Sequence, residues 1–304
     1  MEDEKEFDVI IVGGSYAGLS AAMALGRSMR SVLIIDSGKP CNRQTPHAHN
    51  FITHDGDTPK EISDHAKQQV LEYPTVKFLN DSVVAASKEE SGYTITTQNS
   101  QQVQAKKILF ATGVKDIMPD LKGFADCWGI SVLHCPYCHG YEVANKKLGI
   151  LANGEMAFEM CKLIQHWSKD LTLFTNGQSE LTSEQKNLIE KLKIEIIEKE
   201  ISELSHQQGN LESILFTDGS HTELDAVFSH VPFEQHSTLP EELGCEISEQ
   251  GYIEVDLFQK TTVDGVFCAG DNTTFLRAVP IAIAAGTKAG AAINMELINE
   301  ELPV

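Results

Sequence analysis

The sequence predicts an α/β fold built from two nested βαβ systems, one inserted in the other, and three observations carry that expectation. Short apolar runs end repeatedly at glycine turns. Two of these runs lead into a helix of alanine-rich or amphipathic character and then into another apolar run. The pattern that opens the chain is resumed only near its end. Phe7 to Val12 is the first strand, the turn Gly13-Gly14-Ser15-Tyr16-Ala17-Gly18 follows, Leu19 to Leu25 is helical, and Ser31 to Ile35 turns β-like again. Lys106 to Ala111 and Gly265 to Ala269 are two further buried strands, closed by Thr112-Gly113 and Gly270-Asp271. The second system starts with a strand at Leu148 to Ala152, a helix at Glu155 to Ser168 and a strand at Leu171 to Phe174. On its helix Met156, Met160, Leu163, Ile164 and Trp167 recur at helical spacing and are expected in the core. Ser183 to Leu192 then reads as a helix, Ile194 to Ile197 as a strand, and Leu211 to Phe216 with Glu223 to Val231 as paired strands. The expected units are 1–114 with 245–304, and an insert at 115–244.

Composition removes several classes of function. The 304 residues carry a formal net charge of -20, which repels phosphate backbones and anionic lipid, so neither nucleic acid nor membrane is an expected partner. Apolar runs such as Val279 to Ala285 are too short to cross a bilayer. The opening Met1-Glu2-Asp3-Glu4-Lys5-Glu6 is acidic, the reverse of a secretory signal, and places the chain in the cytoplasm. Seven cysteines in a chain of this size do not suggest a disulfide framework, so a close pair is catalytic or metal-binding.

The first glycine turn lies where a dinucleotide turn should, between a strand and a helix, with Asp36 at the end of the next strand. Gly13 allows the tight turn, Gly14, Ser15 and Ala17 line the helix start, and Gly18 permits close packing of helix on strand. The free N–H groups there suit a pyrophosphate, and Asp36 suits a ribose hydroxyl. Ser15 replaces the middle glycine of the fingerprint. The fold is therefore expected to be two Rossmann-like domains of the three-layer ββα type.

Cys135-Pro136-Tyr137-Cys138 has the spacing of a redox couple at a helix start, where N–H groups stabilise a thiolate. Three other readings stay open. Cys135 to His139 matches c-type haem attachment, though no export signal accompanies it. Zinc would need further ligands, and Cys127, His134 and His139 are the neighbours on offer. The third is a pair of inert buried thiols. Cys41, Cys161, Cys245 and Cys268 stand alone and are expected to pack in apolar surroundings. His206, His230 and His236 are expected at the surface or in packing.

Taken in order, Gly-Gly-Ser-Tyr-Ala-Gly at 13–18, Ala-Thr-Gly at 111–113, Cys-Pro-Tyr-Cys at 135–138 and Ala-Gly-Asp at 269–271 resemble the low-molecular-weight thioredoxin reductase family over nearly the whole chain. The resemblance implies FAD as cofactor, a homodimer, and a thiol or disulfide substrate, either a small protein such as thioredoxin or a small-molecule dithiol. It implies flavin contacts from Ala111, Thr112, Gly113, Gly270, Asp271, Arg277, Ala278 and Val279, with Arg43 and Asn50 added from the stretch between them. The family usually has Arg-Gln-Ala where this chain has Arg277-Ala278-Val279. By the same resemblance Cys138 faces the flavin and Cys135 exchanges with substrate. His139 takes the place of the family's proton-shuttling aspartate, with Glu142 as a second candidate. Cys-x-x-Cys-His-Gly-Tyr-Glu is similar to the branch that includes flavin-dependent dithiol oxidases.

The insert should carry the NAD(P)H turn, and there it reads Leu151-Ala152-Asn153-Gly154-Glu155. One glycine remains, and Glu155 sets a negative charge at the helix start. Where an arginine cluster normally meets the 2′-phosphate the chain has Thr175-Asn176-Gly177-Gln178, and no arginine occurs between Arg43 and Arg277. Lys169 or Lys186 could stand in for it. The expected activity is a FAD-dependent disulfide or dithiol oxidoreductase whose use of NAD(P)H is open. Its alternatives are an oxygen-dependent dithiol oxidase and a flavin redox sensor without turnover.

Overall fold

In the computed structural model residues 6–303 are described, so most of the acidic opening, Met1 to Lys5, lies outside the described residues. The chain divides into two compact units: residues 1–43, 59–115 and 233–304 form one, and residues 44–58 with 116–232 the other. The return at Phe233 comes earlier in the chain than residue 245, and the segment 44–58 belongs with the second unit.

The first unit begins with β1 (Glu6–Val12), α1 (Tyr16–Arg27) and β2 (Val32–Asp36), followed by α2 (Pro59–Val70) and β3 (Val76–Asn80). Three strands, β4 (Val83–Glu89), β5 (Gly92–Thr97) and β6 (Gln102–Phe110), then run back and forth, and the short β7 (Val114–Asp116) ends this part. The main sheet has the order β3-β2-β1-β6-β5-β4. Val9, Ile10 and Ile11 are fully buried, as are Ile108, Leu109 and Phe110. A parallel strand covered on both faces needs such an unbroken apolar run, which is why these strands stand out in the sequence.

The second unit contains α3 (Phe124–Cys127), β8 (Val132–Leu133), α4 (Pro136–His139), β9 (Leu148–Leu151), α5 (Gly154–Ile164) and β10 (Leu171–Phe174). It continues with α6 (Ser183–Lys191), β11 (Glu195–Ile197), β12 (Ile201–Gln207), β13 (Asn210–Phe216), β14 (His221–Glu223) and β15 (Ala226–Ser229). A parallel sheet runs β11-β10-β9-β15-β8, and a separate antiparallel sheet runs β12-β13-β14. The expected pairing of Leu211 to Phe216 with Glu223 to Val231 is corrected here: β13 pairs with β12 and β14, while β15 lies in the parallel sheet against β8 and β9. Asp225 breaks the stretch, and Ala226 to Phe228 are fully buried as a central strand requires.

On α5 the core face is Ala157, Cys161 and Ile164, whereas Met156 and Leu163 are exposed. The helix starts at Gly154 and ends at Ile164, so its inward stripe differs from the one drawn through the methionines.

The first unit is completed by β16 (Phe233–Gln235), α7 (Leu239–Glu242), β17 (Val266–Cys268) and α8 (Val279–Glu301). β6 has two partners on one side of its length: Gln102 to Ala105 pair antiparallel with β5, and Ile108 to Phe110 pair parallel with β17. With 23 residues, α8 has the length and composition of a membrane-crossing helix, more than the run Val279 to Ala285 suggested. Its buried line Ala282, Ala285, Gly286, Ala289, Gly290, Ile293 and Leu297 is laid against α1. A Cβ on Gly286 would come within 2.0 Å of the Ala17 carbonyl oxygen, so the two helices approach at backbone distance.

Candidate redox-active site

The glycine turn after β1 is a bare-backbone turn at the start of α1. Gly13 has φ +106° and donates to Ile35 O at 2.8 Å, which turns the chain sharply off the strand. A Cβ on Gly18 would lie 1.9 Å from Gly13 O, so helix and turn touch through bare backbone. Ser15 caps α1 without a side-chain hydrogen bond, and the first turn holds no acidic residue, which leaves its N–H groups to an anion. Asp36 receives Gly14 N at 2.9 Å and Gly38 N at 3.0 Å, so its carboxylate is fixed at the end of β2.

Two more strand ends belong to the same unit. After β6, the Thr112 hydroxyl is buried with no hydrogen-bond partner among the described residues, and Gly113 has φ +65° with open space where a Cβ would point. After β17, Asn272 is fully buried and its Nδ2 donates to Phe110 O at 3.0 Å, tying the Gly270-Asp271 turn to β6. Arg277 Nε lies 3.7 Å from Asp271 Oδ2. Ala278 caps α8 without a side-chain bond, and no acidic residue follows in its first turn, which begins at Val279. An uncapped helix end, an orphaned buried hydroxyl and an open glycine fit FAD, which Gly13, Gly14, Ser15, Ala17 and Gly18 would hold by its pyrophosphate and Asp36 by a ribose, with Ala111, Thr112 and Gly113 beside them. Arg43 is turned to its own loop, donating to Pro40 O at 3.1 Å. Asn50 falls in the segment assigned to the second unit, where its N–H donates to Asp55 at 2.8 Å.

The cysteine pair sits in the second unit at the start of α4, with Pro136 at the first helical position. Cys138 Sγ donates to Cys135 Sγ at 2.7 Å. That bond, with the backbone N–H groups of Cys138 and Tyr137 and against the cost of burial, holds the Cys135 thiol down to about 7. Cys138, as the donor and half-shielded from water, is pushed up well beyond the ordinary thiol range. The hydrogen bond thus favours Cys135 as the thiolate and Cys138 as its proton-bearing partner. His139 closes α4, and burial lowers its imidazole below 6.5, with Glu142 opposing and His49 adding to that shift. It is therefore neutral at neutral pH and able to accept a proton.

Sequence reasoning missed His49. It lies on the segment 44–58, with Nε2 3.5 Å from Glu142 Oε1 and Nδ1 3.6 Å from Asp55 Oδ1. The density of His47, His49, His54, Asp55 and Asp57 in one loop was the available signal. Cys41 corrects another expectation, being exposed with its sulfur 3.9 Å from Asp271 Oδ2, while Cys161, Cys245 and Cys268 are buried.

The helix start that should receive NAD(P)H is filled by the chain itself. Asn153 Oδ1 accepts both Gly154 N and Glu180 N at 2.9 Å, and its Nδ2 donates to Gln178 O at 2.9 Å. The loop after β10 is thereby clasped onto the α5 N-terminus. Glu155 occupies the first turn and accepts from Gln185 at 2.6 Å. Lys186 is engaged with Glu198 at 3.2 Å, and Lys169 bonds the carbonyl of Gln165, the residue after α5, at 2.7 Å. These residues do not fit a dinucleotide pyrophosphate or a 2′-phosphate.

The family model for pyridine nucleotide-disulphide oxidoreductases matches residues 7–286. Among curated relatives, thioredoxin reductase tcpT of Claviceps purpurea is 32% identical, over 96% of this chain and 95% of that protein. Thioredoxin reductase sirT of Leptosphaeria maculans is 29% identical, over 97% of this chain and 96% of its own. The crystal structure of an oxidoreductase from Agrobacterium tumefaciens superposes with a TM-score of 0.91 at 33% identity, covering 97% of this chain and 100% of that one.

Proposed function

Since the chain belongs to the pyridine nucleotide-disulphide oxidoreductase family and is an FAD-dependent disulfide oxidoreductase of thioredoxin reductase-like type, we propose that it works as a dithiol oxidase that does not use a nicotinamide. The observation that supports this reading is the Asn153 clasp, which takes up the Gly154 N–H at the α5 start and holds the loop after β10 against it, with Glu155 in the first turn. Without that donor, electrons enter from the sulfur substrate and leave to an external acceptor, of which molecular oxygen is the simplest.

The chemistry supplied by FAD when bound is a two-electron couple that restores the Cys135–Cys138 disulfide. The chain's own residues do the rest. One thiolate of an external dithiol attacks Cys135 sulfur, the Cys135–Cys138 bond breaks, and Cys138 is protonated by the proton that His139 has received from that dithiol, the state in which it donates to Cys135. The second substrate sulfur then attacks the first, forming the product disulfide and expelling Cys135 as thiolate. A thiolate held at about 7 is a good leaving group. His139, neutral at this pH, receives the proton of the attacking thiol. Two S–H bonds of the substrate are lost and one S–S bond is gained, while the protein gains two electrons on its cysteine pair. A homodimer and a cytoplasmic location belong to the same reading, and sedimentation and cell fractionation test them.

The test is an anaerobic titration of the purified flavoprotein. A small dithiol should bleach the flavin while NADPH and NADH leave it oxidised, and admitted oxygen should restore the colour with one oxygen consumed per disulfide formed. Stoichiometric bleaching by NADPH would overturn the reading.

A further inference from the structure

We propose that Tyr137, held in place by Trp167, is the wall on which the carbon frame of the substrate rests when its sulfur meets Cys135, so that the site selects an organic dithiol with a flat, uncharged ring. The proposal rests on the reading that an external dithiol exchanges at Cys135. All of the residues involved lie in the second unit.

Tyr137 stands between the two cysteines on the single turn of α4, where Cys138 N and His139 N both donate to Cys135 O at 3.2 Å. Successive side chains on a helix point about 100° apart, so Tyr137 flanks Cys138 one step round the turn, with its Cα about 3.8 Å from that of Cys138. Cys135 Sγ lies 2.7 Å from Cys138 Sγ. The tyrosine ring is 65% exposed, yet it is not loose. Trp167 meets it edge-on at 5.6 Å with the planes at 87°, and His166 meets the same indole edge-on at 5.5 Å. Trp167 is pinned on both sides of its own backbone, donating to Ile164 O and accepting from Asn145 N, each at 2.9 Å. The indole reaches α4 because residue 140 is glycine: a Cβ there would lie 2.7 Å from Trp167 Nε1 and 2.8 Å from its Cδ1. The glycine of Cys-Pro-Tyr-Cys-His-Gly thus seats an aromatic ring against the redox turn.

A lone exposed tyrosine needs no explanation. One that is clamped by an indole has given up side-chain freedom without the burial that usually compensates, and such rings serve as rigid contact surface. The edge-on contact with Trp167 leaves most of Tyr137 open to a further ring, in the offset or edge-on arrangements that aromatic pairs prefer. Chemistry fixes what the occupant is. Exchange joins a substrate sulfur to Cys135 Sγ, so the carbons next to that sulfur are carried to the face beside Tyr137. A phenol and an indole select by shape and apolar surface rather than by ion pairing, and one aromatic pair supports a preference of roughly two- to tenfold.

The test isolates the exchange step from turnover. In full-length, flavin-loaded protein, Cys138→Ser leaves Cys135 as the thiol of the pair, and Cys41→Ser removes the exposed competitor. Both 4,4′-dithiodipyridine and bis(2-hydroxyethyl) disulfide react there by thiolate attack on one sulfur, which forms the mixed disulfide and releases the other half as a thiolate. Tyr137→Ala in this background should slow the dipyridyl reagent by roughly three- to tenfold and the hydroxyethyl one by less than about twofold, while Tyr137→Phe retains the parent ratio. In the intact enzyme the same Tyr137→Ala substitution should raise KM for 3,4-toluenedithiol by a similar factor and leave kcat, and both constants for dithiothreitol, in place. A shifted thiol or a loosened turn would slow both disulfide reagents alike, and that result, or no change with either, overturns the proposal. So does a disulfide-bonded thioredoxin that reacts faster than both small reagents and shows the same dependence on Tyr137, since the wall would then serve a protein face. Should Tyr137→Ala not fold, Tyr137→Leu, which keeps bulk without a ring, decides by the same ratio. If no dithiol is turned over at all, the oxidase reading falls, and the ratio of exchange rates still decides for or against the wall.

Discussion

Replacing Cys138 by alanine should disarm Cys135 without touching it. The hydrogen bond from Cys138 is the largest cause of the drop in Cys135 from the ordinary thiol value of 9.0 to about 7. At pH 7 a thiol with that lowered value is about half ionised, against about one hundredth for an ordinary one, a ratio of roughly fifty. A less basic thiolate is also a weaker nucleophile, by roughly eightfold over this interval, so the net gain in reactivity is about sixfold. Loss of the donor should therefore lower the rate of iodoacetamide alkylation of Cys135 in the reduced protein by up to about sixfold at pH 7. The pH midpoint of the reaction should rise, and the backbone N–H groups of Tyr137 and Cys138 should keep part of the effect. Mass spectrometry of the labelled peptide across pH 5 to 10 reads both quantities. A wild-type midpoint near 9.0, or one that Cys138→Ala leaves in place, would refute the assignment of Cys135 as the thiolate.

Other outcomes follow from single contacts. Thr112→Val removes a buried hydroxyl that has no partner among the described residues, so the apoprotein should lose no thermal stability while FAD binds roughly fivefold more weakly, as titration by flavin fluorescence would show. Gly18→Ala drives a methyl into the Gly13 carbonyl and should cost about 1–3 kcal/mol in denaturant unfolding, together with most of the bound flavin absorbance. Asn153→Ala frees two backbone donors and should cost about 1–2 kcal/mol, yet it should not confer reduction by NADPH, because Glu155 still faces the helix start. Cys161, buried and pushed up to about 12, should resist alkylation at pH 8 in the folded protein.

The parallel strands β1 and β6 were legible because burial on both faces demands a continuous apolar run, and Val9 to Ile11 and Ile108 to Phe110 supply one. The glycine turn was legible for a related reason, since Gly13 and Gly18 sit where no side chain fits. The edge of the second unit was not. β12 carries only Ile201 and Leu204 among polar residues and β14 is His-Thr-Glu, so both are polar enough to pass for loop, which left β13 with the wrong partner. On α5 the methionines lie at helical spacing, but so do Ala157, Cys161 and Ile164, and periodicity alone does not say which stripe turns inward. The segment 44–58 is held by polar contacts such as those of His47, His49 and Asp55, with no apolar period to reveal which unit it joins. His49 was invisible for that reason.

The divided partnership of β6 bears on how the chain is made. Val266 to Cys268 are needed to cover the far half of that strand, so a ribosome must release nearly the entire polypeptide before the nascent flavin unit can close. The second unit, whose last residue is 232, is by then already synthesised. Until the late strand arrives, Ile108 to Phe110 present an apolar hydrogen-bonding margin to their surroundings, and premature termination ahead of Val266 would make that margin permanent and sticky.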